Sequence, residues 1–473
     1  MPDFFSRRLL LLLGLLLSLT LPALATHIVG AELSYVPVPG NARRFQVTAK
    51  VYREASAMID FGSTMTLFTS LNGCGPTTGR STQLTRYSST LINYLRCSNG
   101  GPVNMQLFYG EVELPTPGTW TLSLAAENRT FGIVNLPDSD NYGMYAEAQV
   151  SIFSTPHLNT SPVFTSTMLP YICGTQFHRY SFAAYDADGD SLVYSLTPPR
   201  AANVADPCPV AMPVTPAPHF TINPASGELS TVPFGLNLGN YIMAVRVDEY
   251  RRIASQWTKI GSVMRDLMYP VSGSSGNRNP TFSALTGGTA PLALDQAIRV
   301  NPGQTVALTL TAADQDAGQV LRFSSEVAAT IPGAAFQTLS ATQARLTWQV
   351  PASLPPGRYT MPVVVADNAC PINGTTVQTL TFQVTNQVLA AHAGSPRFEP
   401  TAFPTPFREQ VQFQLATPGR QPVQVVDGLG RVIAELTSQA DGTVRWRPAA
   451  TLAPGLYLAR TADGRQIIRL LHD

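Results

Sequence analysis

The 473 residues carry a net charge of +1, with 44% hydrophobic and 13% charged side chains. So even a balance gives no field to draw nucleic acid or an anionic lipid surface, and the length allows three or four domains, each with its own core. The 39 prolines and 35 glycines, abundant Thr, Ser and Val, and no long helical pattern point to an all-β chain rich in turns.

In chain order, Arg7 and Arg8 precede an apolar run, Leu9–Leu17, broken only by Gly14, and Ala23-Leu24-Ala25 follows. This is the pattern of a secretory signal peptide over residues 1–25, cut after Ala25 to leave Thr26 as the mature start. The run is short for a membrane span. Residues 26–158 read as an N-terminal β-rich domain. FQVTAKVYR (Phe45–Arg53) and TWTLSLAAE (Thr119–Glu127) alternate with the period of half-buried strands.

An internal repeat organises the middle. NTSPVF (Asn159–Phe164) recurs as NRNPTF (Asn277–Phe282), and GNYIMAVRV (Gly239–Val247) recurs as GRYTMPVVV (Gly357–Val365), both at an offset of 118 residues. Two independent matches at one offset argue for two copies of one domain, 159–276 and 277–387. In the first copy Tyr241, Met243, Val245 and Val247 fall on one strand face, and the repeat length suits an immunoglobulin-like sandwich. Each copy is expected to fold alone.

Residues 388–398 read as a linker, and 399–473 as a smaller β module. In it QVQFQLA (Gln410–Ala416) alternates, PVQVVDGLGRVIAEL (Pro422–Leu436) reads as two strands about Asp427–Gly430, and Asp463-Gly464 marks a hairpin turn.

Export permits disulfides. Among Cys74, Cys97, Cys173, Cys208 and Cys370, the local pairs Cys74 with Cys97 and Cys173 with Cys208 are expected, leaving an odd thiol. No zinc spacing, HExxH, GxSxG elbow or P-loop occurs, and the six histidines are scattered. A non-catalytic protein is expected, with no resident cofactor apart from a calcium ion considered next.

The densest chemistry is YDADGDSLVYSL (Tyr185–Leu196), where Asp186, Asp188 and Asp190 crowd beside Gly189. One reading is a hairpin turned at Asp188-Gly189. The other is a calcium site on the three carboxylates, helped by Glu228 or Asp248 if folding brings them close. An EF-hand is excluded, because its sixth and twelfth positions would be Ser191 and Thr197. The second copy keeps Asp314 and Asp316 but has Gln319 after Gly318, so calcium is expected in the first copy alone.

Two resemblances follow from these residues. The stretch from Phe403 to the end, with FPTPF, the "VVDGLGRV" hairpin and "LAPGLYLARTADGRQIIRLL", resembles the type A C-terminal sorting domain of bacterial type IX secretion. That implies export through the outer-membrane type IX machinery, removal of this module, and attachment to surface lipopolysaccharide. THIVGAELSY (Thr26–Tyr35), SPVFTSTMLPYICGTQF (Ser161–Phe177) and VADNACPINGTTVQTLTFQV (Val365–Val384) resemble surface proteins of gliding-type Gram-negative bacteria that carry cadherin-like or PKD-like repeats. DAD before LVYSL is similar to the cadherin calcium motif. The expectation is therefore an all-β chain of tandem immunoglobulin/cadherin-like sandwiches with a C-terminal sorting module, displayed at the bacterial cell surface. Its expected role is structural or adhesive, towards an extracellular protein or glycan ligand. A polysaccharide-binding module and a surface hydrolase with an unrecognised carboxylate pair are the alternatives.

Overall fold

The computed structural model describes residues 28–473, apart from 56–59, 75–79, 93–101, 155–157, 174–175, 216–219, 232–236, 274–275, 370–372, 387–401, 416, 428–429, 462–465 and the side chain of Cys173. The signal segment with Ala25 and Thr26, Cys97, the Cys173 side chain, Cys370, the 388–398 linker and the Asp463-Gly464 turn lie outside the described residues. The chain is all-β and divides into two compact units, 1–387 and 388–473.

Seven strands open the first unit: β1 (Ile28–Val38), β2 (Asn41–Glu54), β3 (Thr64–Leu71), β4 (Arg80–Ile92), β5 (Val103–Glu113), β6 (Gly118–Ala126) and β7 (Met144–Ile152). They pair in the order β1-β2-β5-β4-β3-β6-β7. The strand that finishes this ladder comes from the repeat. Gln256–Ser272 pairs with β7 (Val263↔Ala148) and with β1 (Ala31↔Asp266), so the sheet closes on itself. Closure covers the free edges of β1 and β7, and the sheet runs on through Gly239–Ile253 to an edge at Ser191–Thr197.

Here the structure differs from the expected independence of 159–276. The hairpin Gly239–Ile253/Gln256–Ser272 is part of the N-terminal sheet, and one hydrophobic core runs from Ile28 to Val271. Both faces of Gly239–Val247 are consequently covered. Ile242 and Ala244 are buried as well as Tyr241, Met243 and Val245, where alternation alone gave one buried face. Two buried ion pairs fasten the seam. Arg265 bonds Glu32 of β1, which also meets Lys50 at 2.7 Å, and Arg129 grips Asp266 with a bidentate pair at 2.6 and 3.0 Å. Arg265 also lies 4.2 Å above the Phe164 ring.

Residues 277–387 form a two-sheet sandwich. A five-stranded sheet holds Thr281–Gly287, Thr305–Ala313 and Gln343–Gln349, and a four-stranded sheet holds Gly357–Ala366 and Thr375–Val384. Ala344, Leu346 and Trp348 point inward from alternate positions, and Trp348 packs edge-on against Phe382 at 5.1 Å. Burying each large apolar side chain of this kind is worth roughly 1.5–3 kcal/mol. The two copies are packed together. Thr379 donates to Ser181 at 2.9 Å, Glu326 accepts from Thr167 N at 2.6 Å, and Val364 and Val377 enter the first core.

In the second unit, Val411–Gln414 pairs with Thr443–Trp446, and a four-stranded sheet contains Pro422–Val426, Val432–Thr437, Gly455–Thr461 and Ile467–His472. Phe407, Phe413, Trp446, Tyr457 and Leu470 fill its core. Both hairpins expected from the alternation are present, Pro422–Thr437 and Gly455–His472.

Candidate cation site

The 186–190 loop is not a hairpin. Ala184–Tyr185 pairs with Val163–Phe164, whereas Ser191–Thr197 pairs with Gly239–Ile253 in the large sheet. The loop carries the chain from one sheet to another. Asp186 organises it, its Oδ1 accepting from the backbone N–H of Asp188 at 2.9 Å and of Asp190 at 3.1 Å. Gly189 has φ +77°, and a Cβ there would sit 2.6 Å from Pro355 of the second copy. Only glycine suits that conformation and that contact.

Three strands and a linker bring the remaining groups. Glu249, fully buried, faces the loop at a register shift between Glu249 and Tyr250. Gly261 opposite leaves room for it, since a Cβ there would meet Glu249 Oε2 at 2.5 Å and the Tyr35 hydroxyl at 2.7 Å. Asn159, at the boundary, donates through Nδ2 to Glu249 Oε2 at 2.7 Å and to Tyr35 Oη at 3.1 Å. Tyr35 Oη donates to Gln149 O at 3.0 Å. Arg251 then closes the cluster. Its Nε and Nη2 bind Asp190 Oδ1 at 2.7 Å and Oδ2 at 2.5 Å, and Nη2 reaches Asp188 Oδ2 at 2.9 Å and Asn159 Oδ1 at 2.8 Å. Nη1 donates to Leu158 O at 2.8 Å.

Burial pushes the Asp186 carboxyl up to about 6, with the nearby charge of Asp190 adding to it. Burial, and Asp186 beside it, push Glu249 well above the ordinary carboxylate range. Hydrogen bonding to Asp190 raises Arg251 further above its ordinary value, so the guanidinium is permanently charged.

Of the three aspartates expected to bind calcium, the structure brings Asp186 and Asp190 together and adds Glu249, the three ligand oxygens lying within 4.8 Å of one another. Asp188 sits at the rim, bonded to Thr160 N at 2.8 Å and to Arg251. The expected helpers are elsewhere: Asp248 pairs with Lys259 at 2.6 Å and Glu228 with Arg179 at 3.6 Å. Calcium takes six to eight oxygens. With Arg251 in place, the buried carboxylate oxygens left without a donor in this cluster are Asp186 Oδ2 and Glu249 Oε1. That donor set does not fit calcium.

The second copy repeats the frame. Asn277 Nδ2 donates to Asp367 Oδ2 at 2.8 Å, Asp314 Oδ1 accepts from Asp316 N at 2.9 Å, and Asp316 Oδ2 accepts from Arg278 N at 2.7 Å. Gln319 Nε2 stands on Asn277 Oδ1 at 2.6 Å, where the first copy has the Arg251 guanidinium on Asn159. Glu249 and Arg251 were not read from the sequence, yet the 118-residue offset carried a signal for the first. It aligns Asn159 with Asn277 and Glu249 with Asp367.

The disulfide also differs from the expected local pairing. Cys74 is bonded to Cys208, 134 residues away. The segment after Arg200 folds back over the N-terminal sheet, with Arg129 donating to Arg200 O at 3.1 Å and Val204 N donating to Glu127 at 3.2 Å, which carries Cys208 to the end of β3. Next to the carboxylate loop, a cleft of about 250 Å³ separates the copies, lined by Asp190, Ser191, Trp257, Arg358, Thr360 and Gln383. Trp257 is 65% exposed. It follows a two-residue turn in which Ala254 and Ser255 both have positive φ, 47° and 70°.

No family model and no curated protein matches this chain. Among solved structures, it is similar to the protocadherin GammaB4 extracellular domain (11% identity, TM-score 0.17, covering 95% of this chain and 72% of that one). It is also similar to the N-terminal four immunoglobulin domains of Dscam1 isoform 8.4 (10% identity, TM-score 0.18, covering 93% and 99%). The endo-fucoidan hydrolase MfFcnA4 matches over 64% of this chain at 14% identity and TM-score 0.17, and this chain spans 38% of its length. Overlays this loose carry no argument about activity.

Proposed function

We propose that this is an exported, non-catalytic protein displayed on the outer face of the bacterial outer membrane, where it serves as a structural or adhesive array of β modules. The observation that carries the reading is how the Asp186/Asp190/Glu249 cluster is used. Its carboxylates are tied to Arg251, Asn159 and the backbone where the closed N-terminal sheet, the first copy and the second copy meet. Chemistry on a substrate needs an open acid or base; here the acids brace a joint. The Cys74–Cys208 bond accords with an oxidising compartment. The signal-type N-terminus and the sorting-type C-terminal module supply the address, with the type IX machinery and lipopolysaccharide as partners. The experiment is attachment of cells lacking this chain to surfaces and to one another. Loss of attachment, restored by the full chain, supports the reading; unchanged attachment with lost hydrolysis of an extracellular polymer contradicts it.

A second reading, polysaccharide binding, is favoured by Trp257. An exposed indole held at a tight hairpin beside Arg358, Thr360 and Gln383 offers a stacking face and hydrogen-bonding groups to a pyranose ring. Glycan-array binding lost on Trp257→Ala, with melting unchanged, supports this reading.

A further inference from the structure

We propose that the cleft beside Trp257 takes one unit of an anionic polysaccharide, a sugar carrying carboxylate or sulfate, with the indole under its ring and Arg358 on its charged group. The proposal rests on the polysaccharide reading above and adds the charge of the ligand. Trp257 is 65% exposed and follows a turn in which Ala254 and Ser255 both hold positive φ, a conformation uncommon for either residue. The hairpin end thus holds an indole in water, where its face can take the apolar side of a pyranose. The cleft measures about 250 Å³, below the roughly 300–1,000 Å³ of a pocket that wraps a whole ligand, so it suits one unit of a longer chain.

The charge of the walls selects the sugar. Arg358 lines the cleft from the strand Gly357–Ala366 of the second copy, and it is exposed, with no carboxylate paired to it among the described residues. The one acid in the described wall is Asp190, and both its oxygens are taken by Arg251, at 2.7 and 2.5 Å, so it does not repel an anion. On the Trp257 side, Arg252 stands directly across the hairpin, exposed, and donates to a backbone carbonyl, Ser255 O, at 3.3 Å. Farther along the same face, Lys259 and Arg246 share the single carboxylate of Asp248, at 2.6 and 3.1 Å. Cations therefore outnumber acids on both sides of the indole, in a chain whose net charge is only +1. A guanidinium matches the paired oxygens of a carboxylate or a sulfate, and a neutral sugar would leave that fork unused.

The test is affinity electrophoresis of the chain from Thr26 to Asp473 through gels holding dextran, dextran sulfate or polygalacturonate. The forms compared are wild type, Trp257→Ala, Arg358→Gln and Arg345→Gln, the last an exposed arginine on the other sheet of the second copy whose loss changes the net charge equally. All four are expected to melt alike. Dextran sulfate or polygalacturonate is expected to retard wild type and Arg345→Gln, and which polymer does so tells sulfate from carboxylate. Trp257→Ala and Arg358→Gln are each expected to weaken that binding by about tenfold or more, and plain dextran to retard none of the four. Retardation that either Trp257→Ala or Arg358→Gln leaves intact overturns the proposal, as does no retardation by either charged polymer. Trp257-dependent binding of neutral glycans alone on an array keeps the polysaccharide reading and overturns the charge assigned here; binding of no glycan at all removes both.

Discussion

Asn159 donates its side-chain amide to Glu249 at 2.7 Å, inside the protein. The repeat reproduces the bond between Asn277 and Asp367 at 2.8 Å, so each copy holds its boundary segment to its own long hairpin by one amide and one acid. Replacing Asn159 with leucine leaves Glu249 and Arg251 each short of a partner and should cost about 3 kcal/mol, read from urea unfolding. Asn277→Leu should cost less, because Asn277 is only half-buried. An equal loss at both sites would show that burial of the asparagine is not what sets the cost.

The pairing of Arg265 with Glu32 crosses from the first copy to β1. A fragment of 159–276 therefore lacks the partners of its longest strand, and should show no cooperative melting. Residues 26–276 should melt cooperatively. Arg265→Met in the whole chain removes the cation that Phe164 and Glu32 share, at a cost of about 3–5 kcal/mol. A stable, cooperative 159–276 fragment would refute the shared sheet.

The covalent link between Cys74 and Cys208 spans a long loop. Peptide mapping without reductant should recover those two cysteines joined. Cys208→Ala should lower stability by about 2–5 kcal/mol, while reductant should leave the variant's melting temperature unmoved. A Cys173–Cys208 peptide would contradict the fold of the 200–211 segment.

His178 is buried on the strand His178–Ser181, and burial alone lowers its pKa from 6.5 to about 4. The folded chain thus keeps it neutral where the unfolded chain binds a proton. Its contribution is whole above the unfolded pKa and is lost as pH falls from about 6.5 towards 4, up to roughly 3 kcal/mol. His178→Gln should flatten that part of the stability–pH curve between those limits. An identical curve for the variant would show that His178 titrates normally in the folded state.

Much of the fold was legible. Alternation marked β2, β6 and both C-terminal hairpins, because strands with one wet face alternate, and it found the Gly239–Val247 strand while missing that both of its faces are covered. What alternation cannot carry is partnership. Gly239–Val247 read as a strand of the repeat itself, whereas the hairpin it forms with Gln256–Ser272 completes a sheet whose other strands lie over a hundred positions earlier. The disulfide was misread for the same reason: proximity in sequence was used for proximity in space. At the site, the Asp186 and Asp190 cluster was visible as a motif. Asp188-Gly189 looked like a turn pair because local propensity favours one, but the Asp186 carboxylate binding two backbone N–H groups set the loop instead. Glu249 lay hidden in a strand whose bulge re-aims it. Arg251 gave no signal at all, since an arginine in a strand usually means only a solvated face.

The central claim is surface display of a processed, exported array, and quantitative surface proteolysis of intact cells with mass spectrometry tests it most directly. The account predicts that peptides from 26–387 are shed from the cell surface with Thr26 at the mature start, and that Gln410–Arg420 is absent from them. It also predicts that a chain lacking Phe403–Asp473 stays in the periplasm. Peptides of 26–387 protected in intact cells, or Gln410–Arg420 recovered from the surface at full abundance, would contradict it.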